Sequence, residues 1–183
     1  MSDQYNLTRF LDAQQRDYVR ALSEIRRGRK DTHWMWFVFP QFRGLGHSAT
    51  SQLYAIGSVD EARAYLQHPV LGPRLIESAD AVLSVAGRSA RAIFGSPDDL
   101  KLRSCATLFA GVMPEHPNVF DRIIAKYFDG RGDEATLRLV GQTASDRSFV
   151  TPTATRSPDR PLPLSTRGRS TRRGPSAPAR RRR

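Results

Sequence analysis

Apolar residues recur at helical rather than strand spacing along most of this chain. Leu7, Phe10, Leu11, Gln14, Tyr18, Leu22 and Ile25 fall on one face of a long first helix. Gly28, flanked by Arg26, Arg27, Arg29 and Lys30, suits its C-terminal end, where glycine accepts a left-handed backbone and cations offset the helix dipole. Asp31 or Thr32 is placed to cap a short aromatic helix that Pro40 stops. Periodicity does not separate a helix from a buried strand in so short a run, so residues 33–39 keep both readings, with helix preferred.

Further along, residues 48–56 read as a helix ending at Gly57. Ser58-Val59-Asp60-Glu61 has the form of a capping box and opens a helix to about Gln67. Pro69 suits the first turn of the next, whose apolar positions continue through Leu71, Leu75, Ile76, Ala79, Val82 and Leu83 toward Gly87. Ser96-Pro97-Asp98-Asp99 combines a capping hydroxyl, a proline for the first helical position and two acids in the first turn, and predicts a helix to about Val112. Residues 120–128 and 133–140 supply two more. With no strand alternation and no internal repeat, the expectation is an all-α, compact single-domain bundle of about seven or eight helices.

Charge changes this picture only at one end. The net charge of +11 suggests a nucleic-acid binder until it is located. Eleven of the 29 basic residues and one of the 18 acidic ones lie in residues 147–183, which therefore carry +10, while residues 1–146 carry +1. The 147–183 segment is also rich in Pro, Ser, Thr and Gly, a composition that buries too little apolar surface to offset chain entropy, so a disordered tail is expected after a 1–146 globular domain. The tail is either a dispensable extension or a polycation making weak, non-specific, salt-dependent contact with nucleic acid or an anionic surface. No aromatic residue follows Phe149, so base stacking cannot add to phosphate attraction. Cys105 is the only cysteine, which excludes an intrachain disulfide and a cysteine-based metal site. No apolar run is long enough to span a bilayer and no signal peptide is evident, so a soluble cytoplasmic protein without membrane contact is expected.

Candidate chemistry concentrates in residues 32–48, which hold both tryptophans, Phe37, Phe39 and Phe42, and two of the four histidines. Gly44-Leu45-Gly46 lacks the Gly-Lys-Ser/Thr ending of a P-loop. Yet the helix expected from Ser48, unlike those expected at Ser58, Ser96 and Gly132, has no acid in its first turn, and it follows two glycines, Arg43 and His47. Such a start attracts a phosphate or carboxylate. On the simpler reading the glycines serve the turn and Ser48 is an N-cap.

Trp34 and Trp36 read first as core; the alternative is that one indole lines a pocket and stacks on a planar ring such as a base. His33 and His47 are the candidate acid/base groups, His33 having a structural reading too. Gln41, Arg43, Gly44, Gly46 and Ser48 are candidate ligand contacts. Lys101 and Arg103, on the helix after Pro97, either pair with nearby acids or complete the anion site. Lys101, Ser104 and Cys105 share a face of that helix. A nucleophilic pairing of Cys105 with either histidine is conceivable, but a lone cysteine on an apolar helix reads more simply as a small buried hydrophobe. Carboxylates are scattered, no histidine pair has metal-like spacing, and neither metal nor cofactor is expected. The partner class expected is an anionic small molecule, a nucleotide-like one among the candidates; the alternative is an interaction protein acting through helix faces.

Residues 6 to about 143 resemble an uncharacterised, largely bacterial family, domain of unknown function 1810. The resemblance rests on residues 7–15, 28–37 (through His33-Trp34-Met35-Trp36-Phe37), Phe39-Pro40-Gln41, Gly44-Leu45-Gly46-His47-Ser48, 61–66, 68–75 and 98–104, all in order. It implies a mainly helical fold and no known activity, and it stops short of the arginine-rich tail.

Overall fold

The apolar stripe of the first helix is followed closely by the fold. In a computed structural model, which describes the backbone of residues 3–145 and side chains as far as Gly141, α1 runs Thr8–Arg26 and buries Phe10, Ala13, Gln14, Tyr18, Ala21, Leu22 and Ile25. It ends where expected: Gly28 takes a φ of +69° and its N–H returns to the carbonyl of Ile25. The remaining helices are α2 (Met35–Val38), α3 (Ala49–Leu53), α4 (Val59–Gln67), α5 (Leu71–Ser84), α6 (Ala90–Phe94), α7 (Asp98–Ala110), α8 (Val119–Tyr127) and α9 (Glu134–Ser145). Among the described residues there is no strand, only an isolated parallel bridge between Phe42 and Ile56. The fold is all-α with nine helices among those residues, one or two more than the apolar pattern announces. The basic segment 147–183 lies outside the described residues.

Helix α5 is the central member and packs against α1, α2, α4 and α8, while α7 packs against α6, α8 and α9. Aromatic rings join these layers. Phe10 meets Tyr65 edge-on at 5.0 Å, Tyr65 contacts Phe109 at 5.6 Å, and Phe109 contacts Phe120 at 5.7 Å. A second cluster brings Trp34, Phe39 and Phe94 together, with centroid distances between 6.1 and 6.4 Å.

Several local expectations are corrected. α2 is a helix, but neither Asp31 nor Thr32 caps it; Trp34 occupies the N-cap position without a side-chain bond. The backbone N–H groups of Asp31 and Thr32 donate instead to Glu24 of α1. At α4 only half of the capping box forms. Ser58 accepts from the Glu61 N–H, but the Glu61 carboxylate accepts from Gly57 N–H at 2.7 Å and from Arg9 at 2.6 Å. Pro97 stands at the N-cap of α7 rather than inside it, and Ser96 provides no cap. α3 stops at Leu53, because beyond it Ile56 bonds the backbone on both sides of Phe42.

Buried polar groups fasten the segment between α1 and α3. Gln14 donates from Nε2 to the Phe37 carbonyl (2.7 Å) and to the Tyr65 hydroxyl (3.0 Å). Arg9 reaches the carbonyls of Leu53 and Ala55 as well as Glu61. Each bond removes a desolvation penalty that an unpaired buried group would incur. Together they hold residues 31–57 against α1.

Candidate functional site

Three distant parts of the chain meet in a cleft of about 430 Å³. One wall is Trp36, Gln41, Leu45, Gly46, His47, Ser48 and Ser51, from α2 to α3. The opposite wall is Pro97, Leu100, Lys101 and Ser104 at the start of α7. Asp133 and Ala135 close one end. Six of the residues singled out in the sequence therefore share one cavity: Trp36, Gln41, Gly46, His47, Ser48 and Lys101.

The cationic side of the cleft is built by a carboxylate shared between two lysines. Asp98 accepts from Lys101 Nζ through Oδ1 and from Lys30 Nζ through Oδ2, both at 2.7 Å. Burial works to raise the Asp98 pKa, but the bonds from Lys101 and Lys30 overcome it and hold the carboxyl below its usual value. With two ammonium groups on one carboxylate, the trio keeps one positive charge. Lys101 Nζ also lies 4.4 Å from the centre of the Trp36 ring, and Lys30 Nζ lies 5.4 Å from that of Trp34.

Hydrogen-bonding capacity in the cleft is unspent. The side chains of Gln41, His47 and Ser104 form no hydrogen bond or ion pair with any described residue. Ser104 lines the cleft, and its hydroxyl, unbonded to any described residue, is open to solvent there; among the described residues the one buried side-chain polar atom without a partner is Ser78 Oγ, elsewhere in the fold. The sequence pattern puts Ser104 on the face of Lys101 but does not distinguish it; the meeting of α7 with the 41–48 loop brings it to the cleft.

The start of α3 is not an open anion site. α3 has five residues, and its N-terminus is occupied by its own chain: Ser48 Oγ accepts from the Ser51 N–H at 3.1 Å, and Ser51 Oγ donates to the Ser48 carbonyl at 2.7 Å. Ser48 is the N-cap of the simpler reading. Gly46 has a packing reason, since a Cβ there would lie 2.5 Å from Ser51 Cβ. Glycine allows the loop to press against α3.

The other candidates lie elsewhere. Arg43 and Gly44 line a neighbouring cavity, also about 430 Å³, with Gly46, His47, Gln52 and Ala55. Trp34 is fully buried, and its indole N–H donates to Glu24 Oε2 at 2.7 Å. Arg103 donates to the carbonyls of Arg131 (2.9 Å) and Gly132 (3.0 Å) and so fixes the turn before α9. His33 is exposed, lines neither cavity and bonds no described residue. Cys105 is buried, and burial pushes its thiol well above the ordinary range, away from nucleophile chemistry. Among the described residues no group of three or more His, Cys, Asp or Glu is placed to hold a metal, and no helix is long and apolar enough to cross a membrane.

A helical bundle with an aromatic-walled cleft and this order of motifs defines a class of protein. The chain belongs to the family described as "Protein of unknown function (DUF1810)", which it matches over residues 4–140. It is similar to the crystal structure of the conserved hypothetical protein Rv1873 from Mycobacterium tuberculosis, with 50% sequence identity and a TM-score of 0.74. That match covers 76% of this chain and 99% of the other. No curated protein matches the chain.

Proposed function

We propose that the cleft between the 41–48 loop and α7 binds a small molecule carrying an anionic group. The observation that carries this reading is the convergence of Gln41, His47 and Ser104, all with open hydrogen-bonding capacity, with the Lys101 ammonium in one cleft. A concave, largely apolar wall with a few such groups is the usual form of a small-molecule site. His47 is the acid/base candidate that the cleft retains.

A thermal-shift panel on the full chain, covering orthophosphate, sugar phosphates, nucleotides and dicarboxylates, tests this. A ligand at about 100 times its dissociation constant adds roughly 2.7 kcal/mol of stability. In a domain of this size that raises Tm by several degrees, on the order of 5 °C. His47 and Gln41 have no side-chain partner to lose, so His47→Ala and Gln41→Ala should fold normally, and at least one of them should weaken each stabilising ligand. Unchanged shifts in both variants, for every stabilising ligand, would remove the assignment.

The charge of residues 147–183 supports a separate, weaker contact with polyanions. Truncation after Asp146 should abolish any salt-sensitive retention on nucleic acid. Retention that survives truncation would place that contact elsewhere.

A further inference from the structure

The second cavity, lined by Arg43, His47 and Gln52, differs from the first in its chemistry rather than its size. Gly46 and His47 line both cavities and form a shared wall. In the first cavity the unspent groups include acceptors as well as donors: the Gln41 amide offers both, and so does the Ser104 hydroxyl. Two carboxylates, Asp98 and Asp133, stand at or beside it, and Asp133 Oδ2 is already engaged by Thr136. Trp36, Leu45, Pro97 and Leu100 supply apolar walls. Mixed donors and acceptors among apolar walls suit a planar polar ring better than a bare anion.

The second cavity has the opposite character. No carboxylate lines it, and the Arg43 guanidinium forms no hydrogen bond or ion pair with a described residue. Glu61 is a close neighbour without being an ion-pair partner: a Cβ at Gly57 would lie 2.9 Å from Arg43 and 3.2 Å from Glu61. Glu61 is already neutralised by Arg9 at 2.6 Å and holds the Gly57 N–H. Arg43 therefore presents an uncompensated fork of donors, the form suited to a phosphate or carboxylate.

Resting on the anion-binding reading above, we propose that the two cavities are halves of one bipartite site. The site takes a planar heterocycle against Trp36, Gln41 and Ser104, and an anionic arm that passes His47 to reach Arg43. This is the chemistry of a nucleoside monophosphate. At about 430 Å³ each, the halves lie at the small end of ligand sites, about 300–1,000 Å³, and together they span a ligand of that class.

The test is calorimetric titration of the full chain with the four common nucleoside 5′-monophosphates, their nucleosides, ribose 5-phosphate and orthophosphate. At least one nucleotide should bind about tenfold or more tightly than both its nucleoside and ribose 5-phosphate. Arg43→Ala should bring that nucleotide to its nucleoside's affinity and leave the nucleoside unchanged. Gln41→Ala and Ser104→Ala should weaken nucleotide and nucleoside in parallel and spare ribose 5-phosphate, with thermal melts confirming that each variant folds. Ribose 5-phosphate or orthophosphate binding as tightly as the nucleotides would overturn the bipartite site, and so would an Arg43→Ala variant that discriminates like the parent. If simple anions bind through His47 while nucleotides gain nothing, only this inference falls. If no anion of either panel binds, both readings fall.

Discussion

Glu24 and Trp34 are joined by a buried hydrogen bond of 2.7 Å from the indole N–H to the carboxylate. The same carboxylate accepts from the Asp31 and Thr32 N–H groups and from the Thr32 hydroxyl. Four neutral donors thus replace a cation as its partner. Burial opposes ionisation, but the bonds from Thr32, Asp31 and Trp34 prevail and bring the pKa down to about 2. A carboxyl lowered on folding adds stability above its unfolded pKa and loses it as pH falls through the folded value. Acid titration of Tm should therefore show a loss between about pH 4.5 and pH 2 that is missing in Glu24→Gln. The difference at neutral pH should be on the order of 3 kcal/mol. Equal acid sensitivity in parent and variant would assign the loss to other carboxyls.

Gly72 and Gly111 give a contrast within one fold. A Cβ on Gly72 would lie 1.9 Å from the Leu66 carbonyl oxygen, whereas the nearest atom to one on Gly111 is 3.6 Å away. Gly72→Ala must separate α4 from α5 and should cost about 2 kcal/mol or more. Gly111→Ala, at a φ of −71°, should be neutral or stabilise by about 0.5 kcal/mol. Denaturant midpoints of the two variants decide this directly.

The shared carboxylate of Asp98 makes an asymmetric prediction. Asp98→Asn leaves the Lys30 ammonium, 9% exposed at its side chain, facing Lys101 with no counter-charge. Breaking a buried pair in this way costs about 3–5 kcal/mol. Replacing Lys30 by Met in the Asp98→Asn background should recover part of that loss. A double variant less stable than Asp98→Asn alone would mean that Lys30 acts through its contact with Trp34.

The two indoles should report ligand separately. Trp34 is fully buried and bonded to Glu24, while Trp36 lines the cleft. Any cleft ligand should change the fluorescence of the parent and of Trp34→Phe, and leave Trp36→Phe silent. A ligand signal that persists without Trp36 would place binding outside the cleft.

Much of the fold is legible in the sequence because the signals that set it are local. The stripe of α1, the glycine after it and the Ser58 hydroxyl at α4 all act within a few residues. α6 escapes because Ala90, Ile93 and Phe94 make one apolar turn between Gly87 and Gly95, too short for a period to show. Glu24 and Arg9 escape for another reason. They read as ordinary polar positions on a helix, and Arg9 finds its carboxylate partner as far away as Glu61; Gln14 falls on the apolar face as expected, but its partners, Phe37 and Tyr65, are also distant. The candidate site divides in the same way. Composition located the 32–48 segment, but the separation of Trp34 from Trp36, and of Arg103 from Lys101, depends on which neighbour each side chain meets.

The cleft's two walls are separated along the chain by the whole of α4, α5 and α6. A molecule seated between them would act on the polypeptide as a removable crosslink. It would close a long loop without a covalent bond and oppose the parting of an early segment from a late one. Occupancy would then be written into the mechanical resistance of the domain. Pulled from its ends, the filled protein should yield at a higher force than the empty one.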